Sequence, residues 1–206
     1  MTRNQPFLSL WRVEVCGGIA SGKTTLARLF KRHVYTTELE QFKENPLWRL
    51  FYQDPSEYAF ATEVTFFLQH YAQIKKSYID SELLICDFSL LQDRAYADVN
   101  LTGGQLKAFN AVYRQATSEL APPSLIVRLE CGAQEELNRI QRRARAEESR
   151  IQIGYLNALN RAIKQRVAGL SGRARVLIID SETNDFAHDK RTQRRIIKEV
   201  LSALKT

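Results

Sequence analysis

The sequence has little of what marks exported, zinc-ribbon or membrane-spanning proteins. Only three of its 206 residues are cysteines, and no two of them have CxxC spacing, which excludes a disulfide scaffold and a zinc ribbon. No run of 18 uncharged apolar residues occurs, so we expect no membrane partner. The first residues show no cleavable signal pattern. We therefore expect a reducing, cytoplasmic compartment.

Glycine and proline are also scarce, at nine and five residues, and repeats and low-complexity segments are absent. Hydrophobic residues make up 44% of the chain and charged residues 26%, a balance that excludes disorder as the main state. The length is typical of one domain with its own hydrophobic core. We expect residues 1–206 to form a single domain.

Acidic residues are in the minority, because 23 of them face 30 lysines and arginines, for a net charge of +7. The excess is concentrated in residues 128–175, where eleven bases accompany five acids. Such a cluster suits either nucleic acid or the phosphates of a small nucleotide. The aromatic residues between 51 and 71 have helical core spacing and do not interleave with basic residues, so we expect no nucleic-acid partner.

Short apolar runs alternate with longer helical patterns along the chain. Strands are predicted at residues 12–16, 33–36, 83–87, 125–130 and 175–180. Helices are predicted at residues 23–32, 56–81, 105–120, 133–147, 153–168 and 190–204. This alternation predicts a three-layer α/β fold with a five-stranded parallel sheet covered on both faces. Ligands of such sheets bind beyond the carboxyl ends of the strands.

A phosphate-binding motif follows the first predicted strand. Its pattern, G-x-x-x-x-G-K-[ST], is matched between a strand and an amphipathic helix, which is the context it needs. The residues of this loop are Gly17, Gly18, Ile19, Ala20, Ser21, Gly22, Lys23, Thr24 and Thr25. Loop amides bind phosphate oxygens, the lysine reaches the β- and γ-phosphates, and the first threonine holds Mg²⁺. The sequence therefore predicts a nucleoside triphosphate site.

The class of phosphoryl acceptor follows from which other motifs are present. A GTPase would carry an NKxD-type motif that reads the base, and the sequence has none. A motor ATPase would have paired acids after an apolar run, whereas Leu83–Asp87 ends in a single acid. A small-molecule kinase is the most economical interpretation.

Two carboxylates are candidates for the acceptor side. Glu40 follows the short second predicted strand, and Glu63 lies on the predicted helix 56–81 beside an apolar stripe with ordinary core spacing. The stripe consists of Phe60, Val64, Phe67 and Tyr71. A charge beside it is costly unless paired, so Glu63 either binds a ligand or is a surface or salt-bridged carboxylate. The three histidines are isolated in the sequence, and only His70 faces roughly the side of Glu63.

From Val13 to about Ala168 the sequence resembles the deoxynucleoside kinase family, and bacterial deoxyadenosine and deoxyguanosine kinases in particular. The resemblance rests on the order and spacing of several motifs. These are the phosphate loop, Glu40 five residues before Asn45-Pro46, Phe51-Tyr52-Gln53-Asp54-Pro55, Asp87-x-Ser89 with Asp93, Arg139-Ile140-x-x-Arg143-Ala144-Arg145-x-x-Glu148, and Tyr155-Leu156. The resemblance implies a P-loop kinase fold. It also implies an enzyme that transfers the γ-phosphoryl group of ATP to the 5′-hydroxyl of a deoxynucleoside.

The resemblance also implies roles for individual residues. Glu40 would contact the 5′-hydroxyl and accept its proton, a role that suits a carboxylate within hydrogen-bond reach. Asp87 would join Thr24 at the Mg²⁺ ion. Tyr52 and Glu148 would hold the 3′-hydroxyl of the sugar.

The remaining implied roles concern the base, the lid and the assembly. Asp93 and Glu63 would read the base. A helical lid at about residues 139–150 would fold over the phosphates, where guanidinium groups offset negative charge. Its arginines are Arg139, Arg143 and Arg145. The resemblance further implies a homodimer packed through long helices.

Three residues depart from the family pattern. Phe88 follows Asp87 where the family has an arginine, and Arg94 is the candidate to replace that arginine. Glu63 stands where the family has a glutamine that reads the base. An ionised carboxylate only accepts hydrogen bonds, so it favours guanine, with two adjacent donors, over adenine unless Glu63 is protonated. Ala144 replaces a lid glycine and restricts the backbone.

We therefore expect a deoxynucleoside kinase that prefers purines, guanine before adenine. Its catalytic residues would be Glu40, Lys23, Arg94 and Arg143. Two alternatives stay open. Asp93-Arg94 is similar to the acid–arginine pair of thymidylate kinases, which would fit a nucleoside-monophosphate kinase. Loss of the arginine after Asp87 would fit a nucleotide-binding protein with weakened catalysis.

Overall fold

The computed structural model describes residues 11–31, 35–77, 82–170 and 174–205. Within them, strands and helices alternate along the chain. The strands are β1 (Trp11–Cys16), β2 (Thr36–Glu38), β3 (Leu83–Cys86), β4 (Leu125–Glu130) and β5 (Val176–Asp180). The α-helices are α1 (Lys23–Lys31), α2 (Trp48–Gln53), α3 (Pro55–Ser77), α4 (Leu90–Asn100), α5 (Gly103–Ser118), α6 (Ala133–Arg143), α7 (Ile153–Ala168) and α8 (Lys190–Lys205). Two short 3₁₀ helices span Phe42–Glu44 and Ala146–Arg150.

The five strands form one parallel sheet in the order β2-β3-β1-β4-β5. The central strand β1 pairs with β3, where Val13 lies opposite Ile85, and with β4, where Val13 lies opposite Leu125. Because every strand runs the same way, all carboxyl ends meet at one edge of the sheet. The predicted five-stranded parallel sheet is confirmed.

Helices cover both faces of the sheet, so the central strand β1 is buried on both sides. Val13 and Val15 pack against α1 and α8, and Cys16 packs on the opposite face against α4 and α7. The first face also buries Leu26, Phe30, Ile196, Val200 and Leu204. The second face buries Leu91, Ala95, Ile163 and Val167. The result is the expected helix–sheet–helix arrangement.

A buried ion pair joins the sheet to the start of α4. Arg12 Nε lies 2.9 Å from Glu14 Oε1, and both side chains are only 2% exposed. The Arg12 guanidinium also donates to the carbonyl of Ala121. Glu14 Oε2 accepts from the Ser89 hydroxyl at 2.8 Å and from the Leu90 amide at 3.1 Å. The carboxylate thus lies at the positive end of α4 and fixes where that helix begins.

Some predicted elements differ from the observed ones. The second strand begins at Thr36 rather than at residue 33, and residues 33 and 34 lie outside the described ranges. The helix predicted at 133–147 ends at Arg143, because Ala144 adopts a left-handed conformation with φ of 49°. That conformation closes the helix and is the backbone strain expected where an alanine replaces a glycine.

Helices α2 and α4 have no counterpart among the predicted elements. The first is only six residues long. The second packs against α3, α5, α7 and β1, so its buried residues do not form the single apolar stripe that sequence patterns reveal. In the described part of the chain, no helix combines the length and the apolar character needed to cross a membrane.

The cysteines are free thiols at or just past the ends of strands. Cys16 and Cys86 are buried, as expected, whereas Cys131 is only partly buried. Burial raises the pKa of the Cys16 thiol to about 12 and that of Cys131 to about 11. The thiols are therefore protonated at neutral pH and have little nucleophilic character.

Candidate active site

A cavity of about 530 Å³ opens among the segments that follow β1, β2 and β3. This volume lies within the range of small-molecule sites. The sequence-predicted site residues that line it are Ile19, Ala20, Ser21, Gly22, Lys23, Thr24, Thr25, Glu40, Tyr52, Glu63, Asp93, Arg139, Arg143, Arg145 and Glu148. The carboxyl ends of parallel strands meet at this edge, which is why residues so far apart in the sequence converge here.

The phosphate loop connects β1 to the start of α1. Gly22 has φ of 103°, a conformation that favours glycine. The Gly17 amide donates to Gln92 Oε1 at 3.0 Å, which ties the loop to α4. Lys23 Nζ donates to the carbonyls of Gly17 and Gly18 at 3.0 and 2.8 Å. The loop geometry and its lysine therefore have the form of a phosphate cradle.

The side of the loop away from the cavity is supported by a buried carboxyl that the sequence analysis did not identify. Glu136 is fully buried, and its Oε2 accepts from Asn160 Nδ2 at 2.9 Å. Burial raises the pKa of Glu136 to about 7, and Asn160 opposes that shift. A Cβ atom on Gly18 would collide with Glu136 Oε1. The second glycine of the loop thus leaves room for the ends of the Glu136 and Asn160 side chains.

Asp87 follows β3 directly. It is buried close to Thr24 of the phosphate loop and does not line the cavity. Its Oδ1 accepts from the Glu40 amide at 2.5 Å. Its Oδ2 is buried and has no hydrogen-bond partner among the described residues. Burial raises the pKa of this carboxyl, and Thr24 and Lys23 oppose the shift. An orphaned carboxylate oxygen beside Thr24 suits a hard cation, so Asp87 and Thr24 would be the residues that hold Mg²⁺.

Glu40 lies two residues past β2, and its side chain keeps 32% exposure at the cavity. His70 Nε2 is 3.6 Å from Glu40 Oε1, and His70 Nδ1 is 3.0 and 2.9 Å from the two oxygens of Asp93. Burial lowers the pKa of His70, but Asp93 and Glu40 outweigh it and raise the pKa to about 10. Burial alone would raise the pKa of Glu40; contact with His70 turns the net shift downward. His70 is thus part of the site, not an isolated histidine.

The structure does not place Arg94 where it could replace the arginine that the family pattern has at the position of Phe88. Phe88 is fully buried and stacks on His70, with ring centroids 4.1 Å apart and an angle of 7°. Arg94 does not line the cavity; its guanidinium lies over the ring of Tyr113, 5.3 Å from the centroid. One residue along a helix turns the side chain by about 100°, so Arg94 faces α5 while Asp93 faces the cavity.

Glu63 is 5% exposed and shares a hydrogen bond with a residue from the end of α4. Asn100 Nδ2 donates to Glu63 Oε1 at 2.7 Å and to the Tyr155 hydroxyl at 3.0 Å. Burial raises the pKa of Glu63 to about 8; Asn100 opposes this, and Asp93 adds to it. With this pKa the carboxyl mostly holds its proton at pH 7, which is the protonated case that the sequence left open for Glu63.

The two later lid arginines fold onto Glu148. Arg143 Nη2 lies 2.6 Å from Glu148 Oε2, and Arg145 Nη1 lies 3.1 Å from Glu148 Oε1. Glu148 is only 4% exposed, and the Arg145 guanidinium also covers the ring of Phe42 at 4.4 Å. A residue assigned to the sugar and two assigned to the phosphates are therefore one connected unit.

Arg139 sits on the phosphate loop rather than with that unit. It donates to the carbonyl of Ser181 at 2.7 Å and to that of Ser21 at 3.4 Å. It also pairs with Glu135 at 2.9 Å, one turn earlier in α6. Its position brings a fixed positive charge to the edge of the phosphate loop.

Comparison with known proteins agrees with this geometry. The family model "Deoxynucleoside kinase" matches residues 13–205. Deoxyguanosine kinase of Bacillus subtilis is 27% identical over 197 residues, which cover 91% of this chain and 95% of that protein. Deoxyadenosine/deoxycytidine kinase of the same organism is 23% identical over 201 residues, with 93% and 92% covered. A structure of deoxyadenosine kinase from M. mycoides has a TM-score of 0.81 at 21% identity and covers 93% of this chain and 99% of its own. The chain belongs to the deoxynucleoside kinase family.

Proposed function

We propose that this protein transfers the γ-phosphoryl group of ATP to the 5′-hydroxyl of a purine deoxynucleoside, with guanine preferred over adenine. One observation carries the proposal: a carboxylate suited to deprotonate an alcohol, Glu40, shares a single cavity with the phosphate loop and with the buried Glu63. The cavity therefore offers a place for a triphosphate, an acceptor hydroxyl and a base.

In this proposal Glu40 accepts the proton of the 5′-hydroxyl as the oxygen attacks phosphorus. Tyr52 and Glu148 hold the 3′-hydroxyl. The phosphate loop with Lys23 binds the triphosphate, and a lid at about residues 139–150 offsets its charge through Arg139, Arg143 and Arg145. Thr24 and Asp87 would hold Mg²⁺, which neutralises charge on the β- and γ-phosphates when it is bound.

The preference for guanine rests on Glu63. At pH 7, ionising a carboxyl with a pKa of about 8 costs about 1.4 kcal/mol. Guanine offers two adjacent donors, and each hydrogen bond to a charged acceptor contributes roughly 1.5–3 kcal/mol. The two bonds outweigh the cost, so guanine binding is accompanied by ionisation of Glu63. Adenine instead pairs with the neutral carboxyl through one donor and one acceptor.

The position of Arg94 favours this proposal over a nucleoside-monophosphate kinase. A substrate that already carries a phosphate needs a cation on the acceptor side, and Arg94 was the candidate. Its guanidinium lies over Tyr113 and outside the cavity lining. The acidic side chains of Glu40, Glu63 and Asp93 line the cavity instead, and they suit a neutral nucleoside better than a phosphorylated one.

The test is an assay of ADP release with Mg·ATP and each of the four common deoxynucleosides in turn. We expect the release to be stimulated most by deoxyguanosine and next by deoxyadenosine, and phosphorus NMR of the product to identify a 5′-monophosphate. Release that no deoxynucleoside stimulates would overturn the proposal. Phosphorylation of deoxycytidine or thymidine ahead of both purines would overturn the assignment of the base.

We also propose the assembly and location that the resemblance implies, a homodimer packed through long helices in the cytoplasm, with residues 1–206 as one domain. Three free thiols suit a reducing compartment. Sedimentation analysis of the purified protein tests this assembly, and a homodimer is expected to have twice the mass of one chain.

A further inference from the structure

The imidazole of His70 is a buried group to which the proposed roles assign no function. It is 2% exposed and lies on α3. Nδ1 lies within hydrogen-bond distance of both oxygens of Asp93 on α4, which fixes the orientation of the ring. Nε2, on the opposite edge, is buried without a hydrogen-bond partner in the described ranges and lies 3.6 Å from Glu40 Oε1.

Two aromatic rings hold the plane of this imidazole. Phe88 stacks on one face at 4.1 Å and 7°, and Phe66 lies 6.1 Å away at 29°. Stacked rings restrict rotation about the last side-chain bond. Because the plane is held by stacking and the direction by Asp93, Nε2 has one orientation, toward Glu40.

The carboxylates around His70 favour its cationic form, although burial opposes it. Glu40 faces it from the loop after β2, Asp93 from α4 and Glu63 from its own helix, and the charge of Lys23 also acts on Glu40. A neutral imidazole would leave the buried Asp93 carboxylate without a cation and would remove one of the positive charges that face Glu40, which is unfavourable. The imidazolium compensates both carboxylates.

We propose that His70 is a positioning residue for phosphoryl transfer: its ring, held by Asp93 and Phe88, presents Nε2 to Glu40 and directs the Glu40 carboxylate at the acceptor hydroxyl. The inference rests on the proposed function. In the reaction the 5′-oxygen bonds to the γ-phosphorus, the bond from that phosphorus to the oxygen of the departing ADP breaks, and Glu40 takes the hydroxyl proton. His70 exchanges no atom in this step. Where the family pattern has an arginine, Phe88 supplies no charge but positions the histidine that does.

The first experiment is His70→Gln, which keeps a hydrogen-bonding side chain and removes the charge. We expect kcat with deoxyguanosine and Mg·ATP to fall roughly 10- to 100-fold, with KM for ATP unchanged. His188→Gln is the matched control, because His188 is 86% exposed and pairs only with the neighbouring Asp185 among the described residues. The control is expected to keep wild-type kinetics and stability.

The second experiment restores the charge from the neighbouring position. In the His70→Gln background, Phe88→Arg returns a cation next to Glu40 and is expected to recover roughly tenfold in kcat. Phe88→Arg alone places a guanidinium against the imidazolium and is expected to lower activity. A purely structural role for His70 predicts no such recovery.

A third measurement does not depend on activity or on the folding of a variant. In wild-type protein with nitrogen-labelled histidine, NMR at about pH 8 is expected to show His70 with both ring nitrogens protonated, where a free imidazole is neutral. A neutral His70, an unchanged kcat in His70→Gln, or a change confined to KM would each overturn the inference. If the wild type phosphorylates no deoxynucleoside, the proposed function fails, and the NMR result still reports on His70.

Discussion

The amide of Asn100 donates to one oxygen of Glu63 at 2.7 Å and to the hydroxyl of Tyr155 at 3.0 Å. This contact joins the end of α4 to α3 and orients the carboxyl. Oε1 accepts from Asn100 and has a second lone pair for a base, so the kind of base that is recognised depends on whether Oε2 carries a proton. Guanine is thus expected to bind the ionised carboxyl, and adenine the protonated one.

This relationship predicts opposite pH dependences for the two purines. The pKa of Glu63 in the free protein is about 8, and deoxyguanosine binds the ionised form, so its binding releases a proton. Its affinity is expected to rise about tenfold per pH unit from about pH 6 and to level off above the pKa. Deoxyadenosine, which needs the proton, is expected to bind more weakly as the pH rises. Calorimetric titrations over this range measure both trends.

Glu63→Gln provides the control, because an amide offers a fixed donor and a fixed acceptor. The variant is expected to bind deoxyadenosine in preference to deoxyguanosine, a change of roughly tenfold or more in their ratio, with neither affinity dependent on pH. If the pH dependence persisted in the variant, another group would be responsible for it.

The role proposed for Glu148 can be tested with a nucleoside that lacks the 3′-hydroxyl. Glu148 accepts from Arg143 and Arg145 and is proposed to hold the 3′-hydroxyl, so Glu148→Gln weakens both contacts. We expect KM for deoxyguanosine to rise roughly tenfold and the preference for deoxyguanosine over its 3′-deoxy analogue to disappear. Steady-state kinetics with the two nucleosides measures this.

The neighbouring Glu147 is the matched control for that variant, because its carboxylate pairs with Arg49 at 3.0 Å and does not line the cavity. Glu147→Gln is expected to keep both KM and the 3′-hydroxyl preference. A Glu148→Gln variant that still rejected the 3′-deoxy analogue as the wild type does would contradict the assigned role.

The buried pair in β1 predicts a large effect on stability. Glu14→Gln removes a charge that Arg12, Ser89 and the start of α4 all contact. Breaking a buried ion pair from one side costs about 3–5 kcal/mol, so the urea midpoint is expected to fall while the slope of the transition stays constant.

The pair Arg128–Glu130 has the same spacing on β4, at 2.8 Å with Glu130 45% exposed. Arg128 is 12% exposed, but Glu130 remains in contact with water, and a pair with a solvated partner contributes little, so Glu130→Gln is the control and is expected to shift the midpoint only slightly. Equal shifts in the two variants would show that burial does not set the energy of the Arg12–Glu14 pair.

Much of the site could be predicted because its information is local. The phosphate loop is encoded by glycines at fixed positions, and Glu40 follows a strand whose end must lie at the ligand edge of a parallel sheet. The partner of His70 could not be predicted, because Asp93 reaches it only through the packing of α3 on α4. The sequence does not reveal that packing, because α4 is buried on several sides and so lacks a single apolar stripe.

One sequence signal for α4 was available. Ser89 and Gln92 have the spacing of a helix-capping box, and the Ser89 hydroxyl accepts from the Leu91 amide at 3.2 Å. Recognising that start would have set the helical phase of the next residues. It would have turned Arg94 away from the cavity and placed Asp93 toward it.

The proposed function depends on Glu40 acting as the base for an incoming alcohol. The decisive measurement is single-turnover transfer of labelled γ-phosphoryl from ATP to deoxyguanosine in the wild type and in Glu40→Gln. We expect the wild type to form the 5′-phosphate, transfer in the variant to be slowed roughly 10²- to 10⁴-fold, and both proteins to bind ATP equally. Equal transfer rates in the two proteins would contradict this role of Glu40.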